Sequence, residues 1–193
     1  MFSRFCAWRS LFSARSSALR LDRRARDMIL SRLSSGYFGS QSFAGVVLRR
    51  IDAEHVRGPL PDYEGTTIEH VLPRNPERRS QWLRWFPGDD SDPMKGVTEN
   101  FQRLGNLILL PAAQNSAAGN SSLTEKWAIY FGADAGPRLA LKEQLRELRS
   151  WTPRTLEAIH GRRIARMAHI WGLGTVGSLV AAASVPANEA HPA

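Results

Sequence analysis

Apolar positions recur every three or four residues along most of the chain, which predicts helices as its main elements. One such pattern runs from Leu19 to Leu33 through Met28 and Ile29, and Ser34-Ser35-Gly36 ends it. A second covers Phe43 to Val56, weakened by Gly45 and a Val pair, and Gly58-Pro59-Leu60-Pro61 closes it. Ala112 to Ala118 reads as a brief helix broken by Gly119-Asn120. Ser122 and Glu125 then have the spacing of a capping box, predicting a helix to about Phe131. Leu139, Leu141, Leu145 and Leu148 predict an amphipathic helix reaching Trp151. Thr152-Pro153 opens the last helix, with Leu156, Ile159, Ile164, Met167 and Trp171 turned inward.

Two stretches depart from this rhythm. Thr66-Thr67-Ile68 with Val71-Leu72 is β-branched and apolar and is stopped by Pro73, which predicts a strand over about 66–72. Leu107 to Leu110, bounded by Gly105 and Pro111, predicts a second. Residues 74–100 between them are polar and irregular, and a loop of that length in a compact domain usually acts or moves. Trp82, Trp85 and Phe86 within it predict a local helix that pins the loop to the core. The fold class is therefore α+β, mainly helical, with a strand, loop, strand, helix order embedded in the helices.

At 193 residues the chain has room for one ordinary domain with loose ends. The expected layout is a basic amphipathic segment at 1–21, a helical lead-in at 22–61, the functional domain at 62–174 and a disordered tail at 175–193. Residues 1–21 hold Arg4, Arg9, Arg15 and Arg20 without an acid, and Phe5, Trp8 and Phe12 form one helical stripe. That stripe either packs on something or serves as an organelle-targeting peptide. With no apolar run long enough to span a membrane, a soluble protein is the expectation. A formal net charge of +8 points to an anionic partner, and the charge is nearly all guanidinium, since only Lys95, Lys126 and Lys142 are lysines. The single Cys6 excludes an intrachain disulfide and any cysteine-built zinc site, so no structural zinc is expected.

The two apolar stretches also carry chemistry. Ile68-Glu69-His70-Val71-Leu72-Pro73 sets a carboxylate beside an imidazole, and Gly105-Asn106 with Asn115 brings in two amides. Phosphodiester hydrolysis needs an activated water, a cation for the transition state and support for the leaving oxygen. A histidine takes a proton near neutrality, which suits His70 as general base. Glu69 and Asn115 offer only oxygen, which suits Mg²⁺ or Mn²⁺. Neighbouring strand residues point to opposite faces, so Glu69 and His70 can serve one site only if the strand bends or bulges there.

These residues resemble the HNH group of the His-Me finger nucleases. There an acid-His pair ends the first strand, Asn-Leu-x-x-Leu begins the second, and a His or Asn ligand follows nine residues on. Asn106 begins Asn-Leu-Ile-Leu-Leu here, and Asn115 stands nine residues later. The resemblance is closer still to the nuclease domain at the C-terminal end of modification-dependent (type IV) restriction proteins. It rests on Ile68 to Pro73, Leu104 to Leu110, Asn115 with Asn120 and Lys126, and Trp151-Thr152 with Ile159 and Arg162. It implies a ββα-metal core and a metal-dependent DNA endonuclease of a bacterial restriction system. Glu69 and Asn115 would hold the metal, His70 would be the base, and Asn106 would brace the loop carrying His70. Lys126, Arg162 and Asn120 would meet DNA. Relatives of this kind carry a ParB-like NTPase domain ahead of the nuclease, so an NTPase subunit in trans is a further expectation. The alternative is a catalytically inactive basic module that keeps the frame and binds nucleic acid.

Overall fold

The computed structural model describes residues 21–40, 42–56, 58–133 and 136–173. The stripe through Phe5, Trp8 and Phe12 and the tail expected at 175–193 lie outside them. Asp22 caps α1 (Arg23–Ser34) by accepting from Ala25 N at 2.7 Å. A 3₁₀ turn at Phe38–Ser40 leads to α2 (Ala44–His55). Then come β1 (Thr66–His70), the short helices α3 (Gln81–Trp85) and α4 (Lys95–Thr98), a 3₁₀ turn at Leu104–Asn106 and β2 (Leu107–Pro111). Helices α5 (Ala112–Ala118), α6 (Leu123–Phe131), α7 (Ala140–Glu143) and α8 (Pro153–Ile170) complete the chain. The architecture is α+β, about half helical rather than mainly so, and the described residues form one two-stranded antiparallel sheet. No helix among them is long and apolar enough to cross a membrane.

The core is built on β2. Leu107, Ile108, Leu109 and Leu110 are all buried, as expected of a strand covered on both faces. Helices α2 and α7 pack on β2, and α5 packs on both strands. Asp52 ties the first of these contacts together from inside the core. It accepts from Leu141 N at 2.7 Å and from the Tyr63 hydroxyl at 2.9 Å.

The amphipathic helix expected over 139–151 is only the single turn α7. Leu139 and Leu141 are both fully buried, and a two-residue spacing cannot lie on one helical face. Leu145 N and Leu148 N bond three residues back, to Lys142 O and Leu145 O, so the chain turns rather than spirals. It then runs out to bring Trp151 into the core. The strand expected to reach Leu72 ends as a ladder at His70, yet Val71 N still donates to Asn106 O at 3.0 Å. The polar loop after Pro73 is held where its aromatic cluster predicts. Trp82 is fully buried, and its indole donates to Ser121 O at 3.0 Å.

Helix α8 closes on the 104–106 turn. A Cβ at Gly105 would lie 2.7 Å from His160 Cβ and 2.8 Å from Leu156 O, so only glycine permits the approach. Gly105 N donates to His160 Nδ1 at 3.2 Å, and the other ring nitrogen faces Ser34 O at 3.4 Å. This fixes a neutral imidazole with its proton on Nε2. Burial, then the nearby Arg103 charge, pushes the His160 pKa down to about 4. The unfolded chain binds this proton more readily, so the stabilisation is complete above the unfolded value near 6.5 and is lost as pH falls toward 4. The loss attributable to His160 reaches roughly 3 kcal/mol at the acid end. Its NMR ring resonance should stay unshifted down to about pH 5. Titration near the ordinary histidine value would contradict this packing.

Candidate active site

β1 is an edge strand, and the candidate residues gather along its outer edge. Ala112 N bonds Gly65 O and Val71 N bonds Asn106 O, so residues 65, 67, 69 and 71 exchange backbone bonds with β2. The carbonyls of Ile68 and His70 therefore point outward and need partners. Asn115 on α5 donates through Nδ2 to Ile68 O at 2.9 Å and to Thr67 Oγ1 at 2.8 Å. Lys126 on α6 donates through Nζ to His70 O at 2.7 Å. Side chains from two successive helices thus finish an edge that a third strand would otherwise cover.

Glu69 leaves β1 on the same face as Thr67 and is only 3% exposed. Lys126 Nζ lies 2.5 Å and the Tyr130 hydroxyl 2.6 Å from its Oε1. One turn apart on α6, the two donors converge on one oxygen. Burial raises the Tyr130 pKa and the Glu69 charge adds to the effect, so the phenol keeps the proton that it donates. Burial lowers the Lys126 pKa, and the Glu69 charge opposes it. Lys126 has no exposed surface at all, so it does not meet the expectation of a DNA contact on the surface. Its charge is spent inside the protein.

The His70 side chain turns the other way. The ladder runs regularly through Glu69↔Ile108 and His70↔Leu107, so the expected bend or bulge is absent. Glu69 finds its partners on α6, and nothing draws it toward the face of His70. There, His70 Nε2 lies 3.2 Å from Gln102 Oε1, and the ring centroid lies 5.8 Å from that of Phe101. With an oxygen opposite it, Nε2 carries the proton and Nδ1 keeps the lone pair. Burial holds the His70 pKa below its usual value, while the Gln102 bond and the Glu69 charge push the other way. The ring is neutral at pH 7 and able to accept a proton. Gln102 is itself clamped, because Gly39 N donates to its carbonyl at 2.7 Å and a Cβ at Gly39 would collide with its Oε1.

Behind the strand, Asn106 uses its whole carboxamide. Oδ1 accepts from Leu72 N at 2.7 Å and Trp151 Nε1 at 3.0 Å. Nδ2 donates to Leu72 O at 2.9 Å and Phe101 O at 2.8 Å. The segment just after His70 is thereby tied to the loop that carries Gln102. Arg163 supports the same turn from α8, where its Nη1 donates to Leu104 O, Gly105 O and Leu107 O at 2.8, 3.2 and 2.5 Å. Burial, then the Arg162 charge, brings its pKa down to about 9, which leaves it charged at neutral pH.

A family model described as GmrSD restriction endonucleases, C-terminal domain, matches residues 15–166, well over half of the chain. The chain belongs to this family. No curated protein and no solved structure gives a match. Within this GmrSD C-terminal domain, Glu69, His70, Asn115 and Lys126 meet around β1, with Asn106 behind them. Asn120 instead lines a cleft with Arg79 and Arg84, and Arg162 lies exposed on α8.

Among the described residues no three His, Cys, Asp or Glu side chains group to hold a metal ion. A cation here must therefore draw on an amide oxygen, water and substrate. The donors present fit that requirement. Both bonds to Glu69 fall on Oε1, so Oε2 is the oxygen it can offer, and both bonds from Asn115 use Nδ2, so Oδ1 is its free lone-pair atom. Two such oxygens suit a hard cation that keeps several waters, and hydrogen bonds to the far oxygen of a ligating carboxylate are ordinary support.

Sequence reasoning missed Tyr130, Gln102 and Arg163. Tyr130 had a usable signal, four residues after Lys126 on the inward stripe of α6. Arg163 had one too, since it stands seven residues after Leu156 and so on the buried face of α8. Gln102 had none. The buried pair leads to a direct expectation. Lys126→Met leaves the Glu69 charge uncompensated and should cost about 3–5 kcal/mol in urea unfolding, with much of the loss recovered in a Glu69→Gln/Lys126→Met double variant. Equal losses in the single and double variants would show that packing, not charge pairing, makes Lys126 necessary.

Proposed function

We propose that this chain is a divalent-metal-dependent endonuclease that hydrolyses DNA phosphodiester bonds in a bacterial restriction system. The observation that carries this reading is His70, with Nε2 held by Gln102 and Nδ1 unbonded among the described residues, at the end of a strand that carries Glu69 on its other face and Asn115 at its outer edge. Membership of a restriction-endonuclease family and the net charge of +8 support the same reading.

Glu69 through Oε2 and Asn115 through Oδ1 would hold Mg²⁺ or Mn²⁺, which when bound supplies positive charge to the phosphate. The remaining work falls to the chain. His70 Nδ1 accepts the proton of the attacking water, and the Nε2–H bond to Gln102 steadies the imidazolium that results. Asn106 fixes the backbone after His70, so the ring keeps its place through the reaction. Glu69 and His70 leave β1 on opposite faces, so the scissile phosphate must lie across the outer edge of the strand to meet both. A ParB-like NTPase subunit in trans and a cytoplasmic site of action complete the reading.

A second reading, a catalytically inactive module that only binds nucleic acid, draws on the Lys126 ammonium that already neutralises Glu69. Plasmid nicking separates the two. Supercoiled DNA should be nicked with Mg²⁺ or Mn²⁺ and not with EDTA, and His70→Ala should slow nicking by about 10²–10⁴-fold. Undiminished nicking by His70→Ala would remove His70 from the mechanism. Binding without nicking under either metal would establish the inactive module.

A further inference from the structure

A cleft of about 570 Å³ lies outside the candidate active site, and Arg79, Arg84, Ser80, Gln81, Asn120 and Trp82 are among its lining residues. We propose that it is a second DNA contact, a seat for the sugar-phosphate backbone in which Arg79 and Arg84 take the phosphates. This rests on the reading of the chain as a DNA enzyme and adds where the strand is held.

The charge of the cleft is available to a ligand. Arg50, Arg103, Arg146 and Arg166 all pair with carboxylates, whereas Arg79 and Arg84 form no ion pair among the described residues. Of the two acids that line the cleft, Glu125 is committed to its own helix cap, accepting from Ser122 N at 2.8 Å and Ser122 Oγ at 2.7 Å. Glu77 is the remaining one, so the lining sets two guanidiniums against two carboxylates, and among the described residues neither guanidinium is ion-paired to them.

Two further features point to a polar occupant. Ser80 Oγ and Gln81 Nε2 are shut off from solvent without a hydrogen-bond partner, and such atoms are costly unless something satisfies them. Arg79 adopts φ 67°, a left-handed conformation that is strained for a residue with a Cβ. Arg84 Nη1 donates to the Arg79 carbonyl at 3.0 Å and holds that turn in place.

The chemistry selects backbone over bases. Trp82 is fully buried and offers no ring face for stacking, so beside Glu77 and Glu125 the cleft presents guanidinium, amide and hydroxyl groups, which recognise phosphate and sugar oxygens. The cleft also adjoins the candidate site. Lys126 Nζ lies 6.0 Å from the Trp82 ring centroid, and the same Nζ bonds Glu69 and the carbonyl of His70.

Fluorescence anisotropy of a labelled duplex in a His70→Ala background measures binding without cutting. Removing both charges by Arg79→Gln/Arg84→Gln should weaken binding and flatten the slope of log K against log salt by roughly 1.8, two phosphate contacts at about 0.9 each. Arg79→Gly relieves the left-handed strain and should raise the melting temperature while flattening the slope by roughly 0.9, which separates lost contact from lost folding. Arg23→Gln, at a fully exposed position on α1, is the control and should leave the slope unchanged. An unchanged slope in the Arg79/Arg84 variants of a DNA-binding protein would overturn the cleft alone. No duplex binding by the His70→Ala protein would overturn the DNA reading beneath it.

Discussion

The carboxamide of Asn106 is the constraint on which the rest of this structure depends. It is fully buried, and its four hydrogen bonds join three separate stretches of chain: Leu72 after the first strand, Phe101 before the second, and Trp151 before the last helix. The Leu72 and Trp151 partners would otherwise be buried polar groups without a bond, at a cost of about 1–3 kcal/mol apiece. The arrangement also explains why α8 comes so close to Gly105 and why Arg163 points inward. Both finish the turn that presents Asn106, Arg163 by donating to the carbonyls of Leu104, Gly105 and Leu107.

The outer edge of β1 shows how stability and chemistry share residues. An edge strand must be covered, and here Asn115 and Lys126 cover it with side-chain donors instead of another strand. The same two residues define the surroundings of Glu69. A buried carboxylate held by an ammonium and a phenol is rigid, and rigidity is what a ligand or a base needs from its frame. The opposed faces of Glu69 and His70 follow from a ladder that stays regular to its end. They place these two candidate groups on either side of an edge, not within one pocket.

Much of this was legible in the sequence because local signals agreed with the final fold. The capping box of Ser122 and Glu125, the Pro153 start of α8 and the apolar run of β2 all form as their residues predict. Asn106, Glu69, His70 and Asn115 stood out because their order and spacing resemble the HNH pattern. What escaped depended on tertiary packing. The leucines from 139 to 148 have the composition of a helix, yet a chain that must deliver Trp151 to Asn106 turns instead. A strand bulge was expected so that Glu69 and His70 could face one site, and the regular ladder instead sends Glu69 to its partners on α6. A lysine on a nine-residue helix suggests solvent, and only the assembled fold shows Lys126 enclosed beside Glu69 and Trp82.

The chain belongs to a restriction-endonuclease family, and on the proposed function its metal would be held by oxygens from Glu69 and Asn115. That placement is the central claim, and paramagnetic Mn²⁺ tests it most directly. Titrated into ¹⁵N-labelled protein, Mn²⁺ should broaden the resonances of Ile68, Glu69 and Asn115 first, with the effect lost in an Asn115→Ala variant that remains folded. Broadening confined to acidic surface positions such as Asp89 and Asp92, with β1 unaffected, would contradict it.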